Sequence, residues 1–486
     1  MTTEQAPRTA AGARYASGEQ APALVQETLR RAEEAGVRFV NLQFTDLMGI
    51  VKSVTIPVHQ LEDAATNGKW FDGSSIEGFA RIAESDMFLI PDVKTFAVLP
   101  WEREAAPSKG ASNGKNGSAP GGVAPGTTTA RIICWIYTPN GELFAGDPRL
   151  VLARAMDYAA NLGYLYQTGP ELEFYLFKPE NGVITTVTHD MGGYFDLTGD
   201  EGSLVRKDMV NALEAMGIKV ETAHHEVGPG QHEIDFEYDN ALTTADSAVT
   251  FKYTLKAVAA QHGLYATFMP KPVFGIAGSG MHTHQSLAAI DSSRNLFGST
   301  DDAYNLSPLA KHFIAGQLRH ARAMTAILNP LVNSYKRLVP GYEAPVYMGW
   351  ARQNRSALIR VPRINPSKPQ AARVELRCPD PTCNPYLAFA VMLRAGLQGI
   401  EQGLTAPEPV DENLYHFDEH ERQRRNIGTL PGSLAEALDE MEHDDLIRET
   451  LGDHVFERYL EAKRQEWDEF RSRVTPWEIE RYLEVY

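Results

Sequence analysis

Short runs of alternating hydrophobic and polar residues recur along this chain, and longer segments with helical periodicity separate them. Near the N-terminus the pattern predicts a helix over 22–36 with a Gly stop, then paired strands over 37–44 and 51–57. From residue 147 onward the two element types recur. Strands are predicted over 171–177, 221–225, 231–238, 265–269, 281–287, 358–361 and 373–377, and helices over 149–162, 204–216, 242–261, 307–328 and 384–403.

The connections between these elements are short and rich in Gly and Pro, which does not suit regular parallel crossovers. The order therefore predicts an α+β fold, with an antiparallel or mixed sheet and helices on one face. We expect a flexible leader over 1–21, a small N-terminal domain over 22–125 and a large catalytic domain over 130–486. A low-complexity insertion, 109–129, lies at the boundary, and a strand over 130–137 opens the large domain.

Composition narrows the class of protein. Hydrophobic residues make up 43% of the 486 residues, enough for a sizeable core, and the net charge of −17 argues against a nucleic-acid partner. The three cysteines, Cys134, Cys378 and Cys383, are too few and too scattered for a disulfide or zinc framework, which favours a reducing compartment. No apolar run is long enough for a membrane span or a signal segment, so we expect a cytoplasmic protein.

The candidate chemistry begins in the stretch 224–235, HHEVGPGQHEID. Glu226 precedes a Gly-Pro-Gly turn, and Glu233 follows on an alternating strand. A single acidic strand of this kind is typical of a solvated outer face. Three other strands repeat the pattern, however, with charged groups two residues apart and hence on one face: Glu171 and Glu173, His282 and His284, and Arg373, Glu375 and Arg377.

Carboxylates gathered from four strands would raise one another's pKa unless bound cations offset their charge. Oxygen-rich ligand sets with one imidazole suit Mg²⁺ or Mn²⁺ better than Zn²⁺. Arginines on the same strands, together with Arg337, Arg355 and Arg360, supply planar donor groups for phosphate or carboxylate. A cation site lined with arginines is typical of phosphoryl transfer, in which catalysis is mostly positioning and charge stabilisation.

Six longer motifs then point to a family. They are FDGSS at 71–75, GPELEF at 169–174, HHEV…GQHE at 224–233, GSGMH at 278–282, NSYKRLVPGYEAP at 333–345 and NRS…R at 354–360. With these motifs in this order, the chain resembles type I glutamine synthetases from about residue 36 to its C-terminus. The resemblance implies a small β-grasp-like N-terminal domain and a large catalytic domain whose curved, mainly antiparallel sheet is backed by helices.

The resemblance also implies an activity, which is ATP-dependent joining of L-glutamate and ammonium to L-glutamine through a γ-glutamyl phosphate. It implies two cations, Mg²⁺ or Mn²⁺, the first held by Glu173, Glu226 and Glu233 and the second by Glu171, His282 and Glu375. Matching substrate and phosphate positions are Gly278, Arg337, Arg355, Arg360 and Arg377. Matching ATP positions are Glu221, His284, Ser286, Lys368 and again Arg355.

Ammonium must lose a proton before it can attack, and the matching pocket is acidic. Its residues are Asp72 as the proposed base, Ser75, Tyr194 and Glu226, whereas Glu343 matches a flap that shields the intermediate from water. Read without the resemblance, Asp72 before Gly73 predicts an Asx turn.

Regulation and assembly are also implied by the resemblance. Arg81 matches a glutamine sensor of the feedback-regulated subdivision, and the context of Tyr415 disfavours adenylylation there. Ala277 replaces an Asn common in the family, which puts glutamate affinity in question. Family members assemble as two stacked hexameric rings, with Asp72 reaching a neighbour's site, so we expect a homododecamer.

Three other functions compete with this interpretation. A family member that joins glutamate to a larger amine, such as a polyamine, would need a more open pocket than Asp72, Ser75 and Tyr194 suggest. A catalytically silent, regulatory or structural member would be expected to lose cation ligands, and all six positions are kept. A metal-dependent hydrolase would have no use for Arg337 or the Glu343 loop.

Overall fold

The structure is a computed structural model that describes residues 15, 21–74, 76, 86–102, 128–341, 344–354, 356–365 and 367–486. Within these ranges the chain forms a smaller N-terminal sheet and a larger sheet packed against helices. The predicted α+β fold class is confirmed. Within the described residues, no helix is both long and apolar enough to cross a membrane.

The N-terminal part begins with a helix and continues with strands of a six-stranded sheet. The strand order is β2-β1-β6-β4-β3, with β5 beside β6, and β1 and β6 run parallel as in a β-grasp. The elements are α1 (Pro22–Glu34), β1 (Phe39–Thr45), β2 (Val51–Pro57), α2 (Leu61–Asn67), β3 (Lys69–Asp72), β4 (Asp86–Pro91), β5 (Ala97–Val98) and β6 (Thr129–Tyr137).

The strand β6 changes the expected domain boundary. The sequence predicts this strand at the start of the catalytic domain, but it lies between β1 and β4 in the N-terminal sheet, with Phe39 opposite Thr129 and Phe88 opposite Tyr137. Its side chains are almost all buried, which suits the centre of a sheet. The N-terminal sheet therefore extends to Tyr137, across the low-complexity insertion.

The catalytic part alternates helices with the strands of a nine-stranded sheet. Its elements are α3 (Pro148–Asn161), β7 (Tyr164–Phe177), α4 (Ser203–Ala215), β8 (Val220–His225), β9 (Gln231–Phe236), β10 (Asp239–Asn240), α5 (Ala241–Gln261), β11 (Tyr265–Thr267), β12 (Met281–Ala289), α6 (Pro308–Arg319), α7 (Ala321–Leu328), α8 (Ser334–Arg337), β13 (Tyr347–Ala351), β14 (Ala357–Arg360), β15 (Val374–Leu376), α9 (Pro385–Glu401), α10 (Glu419–Arg424), α11 (Leu434–Glu442), α12 (Asp445–Arg471) and α13 (Pro476–Tyr482).

Pairing in the large sheet follows the order β13-β14-β15-β12-β7-β9-β8, and β10 and β11 also pair with β7. Only β13 and β14 run parallel among the described pairs, so the sheet is mainly antiparallel as expected. The long strand β7 lies at its centre. Its apolar residues Leu172, Phe174 and Leu176 are fully buried, so the opposite face of β7 is left for the polar side chains.

One helix differs from its prediction. The segment 307–328 forms two helices, α6 and α7, that meet at His320. The His320 ring lies 2.6 Å from both Asp444 Oδ2 and Gln398 Oε1, so it joins α9 and the start of α12 at this break. Hydrophobic periodicity does not reveal a helix break of this kind, because the apolar faces of both helices pack against the same core.

Candidate active site

The site is built around β7, which has neighbours on both sides. Glu171 and Glu173 are two residues apart and therefore share one face of the strand. Antiparallel pairing sets Glu171 opposite His282 of β12, and Glu173 opposite Glu233 of β9. Chelating groups from three sequence-distant segments thus meet because of strand register.

The most compact group is the predicted second cation set. One ligand atom from each of Glu171, His282 and Glu375 lies within 4.8 Å of the others. His282 Nδ1 is 3.4 Å from Glu171 Oε2 and 3.8 Å from Glu375 Oε1. Two carboxylates and an imidazole, open to the same point, fit a divalent cation with mixed O and N ligands.

Glu375 is fully buried, and arginines hold both of its oxygens. Arg360 Nη1 lies 2.5 Å from Oε2, and Arg377 Nε lies 3.1 Å from Oε1. The alternation predicted for β15 is present, with Val374 and Leu376 buried on its opposite face. The arginines keep Glu375 oriented and bring positive charge beside the cation set.

The predicted first cation set, Glu173, Glu226 and Glu233, lies beside the second. His224 connects two of its members, since its Nε2 is 3.1 Å from Glu226 Oε1 and 3.5 Å from Glu233 Oε1. Glu173 accepts hydrogen bonds of 3.0 Å from Gln231 Nε2 and from the Gly280 amide. The carboxylates that the motifs align are therefore gathered on one side of the sheet.

The protonation of these carboxyls reflects crowding of negative charge. Burial and the nearby Glu226 raise the pKa of Glu173 to about 8. Burial and the adjacent Asp235 raise the pKa of Glu233 to about 11. Burial alone would also raise the pKa of Glu171, but hydrogen bonds with His282 and His284 instead hold it well below its usual range. A bound cation would replace the protons on Glu173 and Glu233.

We therefore expect cation binding to release protons. At about pH 7 the Glu173 and Glu233 carboxyls hold protons that a cation must displace, so Mn²⁺ affinity should rise as the pH rises toward 8. Calorimetric titration with Mn²⁺ in two buffers of different ionisation enthalpy measures the protons released. Identical binding heats in both buffers would contradict the prediction.

A small cavity lies next to Glu173 and His282, which form part of its wall. It is lined by Glu173, Glu226, Gln231, Ala277, Gly278, His282, Arg337, Ala344 and Arg377. Arg337 is buried and donates to the carbonyls of Cys378 at 2.7 Å, Pro379 at 3.3 Å and Arg377 at 3.2 Å. These bonds fix the guanidinium in a cavity that also contains Arg377, so the cavity suits an anionic ligand.

Glycine is required where the 278–282 segment passes Arg337. A Cβ on Gly278 would lie 2.4 Å from the Pro270 carbonyl oxygen, and one on Gly280 would lie 2.6 Å from Arg337 Nη2. Both contacts are shorter than atoms allow, so the backbone approaches the cavity as the Gly-rich motif predicted. Ala277 also faces this cavity, and its carbonyl accepts a 2.6 Å hydrogen bond from Tyr175.

A second space, a cleft of about 340 Å³, opens on the other side of Glu171. Three of the predicted ATP positions, Glu221, His284 and Ser286, line it. Lys368 is exposed two residues before Gln370, which forms part of the cleft wall. His284 Nε2 lies 2.7 Å from Glu171 Oε1, and Arg373 Nε lies 3.3 Å from His284 Nδ1. The cleft therefore adjoins Glu171, one of the candidate cation ligands.

Two residues predicted for the ammonium pocket lie in different places. Tyr194 is about half exposed and stacks on Phe195 at 4.0 Å, with its edge toward His224. It thus borders the Glu226 side of the site. Asp72 ends β3 in the N-terminal sheet, is fully exposed and accepts a 2.8 Å hydrogen bond from the Ser74 amide. Asp72 forms the expected Asx turn, and the Ser74 hydrogen bonds lower its pKa.

Four predicted residues, Ser75, Arg81, Glu343 and Arg355, lie outside the described residues. The same is true of the leader apart from Tyr15 and Ala21, and of the insertion apart from its last two residues. Tyr415 is described, and its hydroxyl donates a 2.7 Å hydrogen bond to the Ala344 carbonyl. That hydroxyl is engaged next to the Glu343 loop.

Sequence reasoning gave no role to His224, Gln231 or Asp235. His224 joins Glu226 and Glu233, and Gln231 holds Glu173. Asp235 forms a further potential chelating group with His224 and Glu233, and burial raises its pKa to about 6. A signal for two of them was available, since Gln231 and Asp235 alternate with Glu233 on the same face of β9.

The fold and the site define an α+β protein in which candidate cation ligands separate a cleft from an arginine-lined cavity. Residues 36–111 match the family model described as "Glutamine synthetase, beta-Grasp domain", and residues 145–482 match "Glutamine synthetase, catalytic domain". The chain therefore belongs to the glutamine synthetase family. The family and the enzyme class predicted from the motifs are confirmed.

Individual relatives agree with this assignment. The chain is 50% identical to glutamine synthetase of Methanosarcina mazei over 95% of this chain and 98% of that protein. It is 51% identical to glutamine synthetase of Halobacterium salinarum, over 93% and 95% of the two chains. A solved structure described as "GmaS/ADP complex-Conformation 1" is similar with a TM-score of 0.79 and 31% identity, covering 94% of this chain and 99% of that chain.

Proposed function

We propose that this enzyme joins L-glutamate and ammonium to L-glutamine, with ATP as the phosphoryl donor. The observation that carries the proposal is that neighbouring residues of the same two strands line both the cleft and the anion cavity. Glu171 and His284 line the cleft, whereas Glu173 and His282, their neighbours on the same strands, line the anion cavity. A nucleotide in the cleft would therefore present its terminal phosphate to a substrate carboxylate across the cation ligands.

In the first step, a γ-carboxylate oxygen of glutamate attacks the terminal phosphorus, and the bond from that phosphorus to ADP breaks. Arg337 would bind the α-carboxylate of glutamate, together with the backbone at Gly278. Arg360 and Arg377, which pair with Glu375, would share their charge with the phosphoryl oxygens. Arg355 is proposed to act with them, by its position in the family motif.

In the second step, ammonia attacks the acyl phosphate carbon, and phosphate leaves with the electron pair of the C–O bond. Glu226 and Tyr194 would bind ammonium, and Asp72 would accept its first proton, while the second leaves with phosphate. Asp72 lies on an exposed turn of its own subunit, which suits the proposal that it serves a neighbouring subunit in a homododecamer of two stacked hexamers. Ser75 beside it would complete the pocket.

The residues fit the cations that the family implies. Two carboxylates and an imidazole meet within 4.8 Å, and burial and neighbouring carboxylates raise the pKa values of Glu173 and Glu233, an effect that a bound cation would offset. Oxygen-rich ligand sets of this kind favour Mg²⁺ or Mn²⁺. When bound, these cations would screen the phosphate oxygens from one another and from the carboxylates.

The remaining predictions belong to this proposal as well. Glu343 would close over the acyl phosphate to exclude water, and Arg81 would sense glutamine. We keep the expectation of a cytoplasmic enzyme, which the three unpaired, buried cysteines support. Adenylylation at Tyr415 stays disfavoured, since its hydroxyl is bonded to the Ala344 carbonyl.

The proposal predicts that phosphate release from ATP depends on both glutamate and ammonium. We expect the acidic Glu226, beside the rings of Tyr194 and Phe195, to favour a small cation, so larger amines should be poorer substrates. Purified enzyme with Mg²⁺ is assayed for phosphate and for the amide product across ammonium, methylamine and a diamine. Faster turnover with the diamine than with ammonium would instead support an amine ligase of the same family.

A further inference from the structure

A buried carboxylate outside the proposed site ties two of its walls together. Asp190 is only 5% exposed. Its Oδ1 accepts from His225 Nε2 at 3.1 Å and from the Gly230 amide at 3.0 Å. Its Oδ2 accepts from the Glu201 amide at 3.1 Å and lies 2.9 Å from His189 Nε2.

His225 carries the connection onward to Glu226. The His225 Nδ1 atom lies 2.6 Å from the Glu226 carbonyl oxygen, and its Nε2 lies 3.1 Å from Asp190 Oδ1. Each ring nitrogen therefore faces an oxygen that can accept a hydrogen bond, and the ring bridges Asp190 to the Glu226 carbonyl. The pair is buried, so its geometry is held firmly.

The turn 226–230 is consequently fixed at both ends by one carboxylate. Asp190 binds the Gly230 amide directly and the Glu226 carbonyl through His225. The loop that follows Asp190 is held to the same strand, since the Phe195 amide donates to the His225 carbonyl at 3.2 Å. Tyr194 and Glu226, the two proposed walls of the ammonium pocket, therefore share one anchor.

A cation site is the competing interpretation of this cluster, because His189, Asp190 and His232 have potential ligand atoms within 4.8 Å of one another. Arg206 argues against it. Its Nη1 lies 2.8 Å from His232 Nδ1, so that nitrogen accepts and the proton of the neutral ring must be on Nε2. His232 Nε2 then has no lone pair for a metal, and the arginine adds a repelling charge.

We propose that Asp190 is a positioning residue for ammonium, which sets the distance between Glu226 and Tyr194 through His225 and the Gly230 amide. This inference rests on the proposed function, in which those two residues bind ammonium. Asp190 touches no substrate in this scheme. It orients Glu226, which would contact the substrate. Loss of such an orienting residue commonly lowers affinity or activity about 10- to 100-fold.

The test compares Asp190→Ala with Asp190→Asn. The Ala variant frees both ends of the turn, so at saturating Mg²⁺ the KM for ammonium should rise about tenfold or more while the KM values for ATP and glutamate change little. The Asn variant keeps an acceptor for His225 and Gly230 and should recover much of that loss. A matched control is Asp444→Asn, because Asp444 also pairs with a histidine, His320, but in the helical layer.

Equal rises in all three KM values, or an unchanged ammonium KM in the Ala variant, would overturn the proposal. So would failure of the Asn variant to assemble, since Asp190 would then serve stability alone. Mn²⁺ titration separates this inference from the proposed function. If the enzyme makes no glutamine but Asp190→Ala still weakens Mn²⁺ binding about tenfold, the positioning of Glu226 stands and the assigned reaction fails.

Discussion

Glu375→Gln should lower kcat for glutamine formation about a hundredfold, a loss near 2.7 kcal/mol in transition-state stabilisation. The change removes one carboxylate from the cation set and leaves Arg360 and Arg377 without their buried counter-charge. Cation affinity should fall with kcat, because the remaining Glu171 and His282 provide one negative charge. Steady-state assays over a range of Mg²⁺ concentrations measure both effects.

The matched control for this prediction is Glu449→Gln. Glu449 also pairs with an arginine, Arg394, at 2.7 Å, but it lies on α12 and is mostly exposed. Its replacement should leave kcat within about twofold of the parent, because Glu449 is exposed and lines neither the cleft nor the anion cavity. A Glu375→Gln enzyme with parental kcat and Mg²⁺ dependence would show that Glu375 has no part in cation binding.

Arg337→Lys should raise the KM for glutamate about 10- to 100-fold without a matching change in the KM for ATP. Arg337 is buried, and three backbone carbonyls hold its planar group in the anion cavity. A lysine keeps the charge but cannot form the same fork, so the bidentate contact with a carboxylate is lost. Initial rates with each substrate varied in turn separate the two KM values.

Arg322→Lys is the control for that experiment. Arg322 also makes several contacts, with Glu436, Glu440 and the Thr429 carbonyl, but it lies among the helices away from the sheet face. Both KM values should stay near those of the parent. A parallel rise in the KM for ATP and glutamate in Arg337→Lys would indicate a general distortion and would contradict a specific role in glutamate binding.

The secondary structure was largely predictable where hydrophobic periodicity was strong. The strand β2 and helices such as α3 and α5 lie within about two residues of their predictions. Predictions were poorer where long-range pairing decides the element. The strand β7 begins at Tyr164, seven residues before the predicted start, because its first half pairs with β10 and β12.

The sequence was sufficient to predict which residues form the candidate site. Strand alternation aligned Glu171 with Glu173, and Arg373 with Glu375 and Arg377, and the motifs supplied the remaining ligands. The proximity of Glu171, His282 and Glu375 was not predictable from alternation, since it depends on the β15-β12-β7 order. Local patterns specify which way a side chain faces but contain no information about which strand lies beside it.

The stretch 224–235 shows both sides of this distinction. By itself the sequence determined that Glu226 and Glu233 flank a tight Gly-Pro-Gly turn and that Glu233 shares a face with Gln231 and Asp235, because side-chain direction follows from strand period. Only the tertiary structure decided that this face is the buried cation side of the sheet rather than a solvated surface. It also decided that Asp190, more than thirty residues earlier, holds both ends of the turn, since such contacts arise from packing between segments that no local pattern connects.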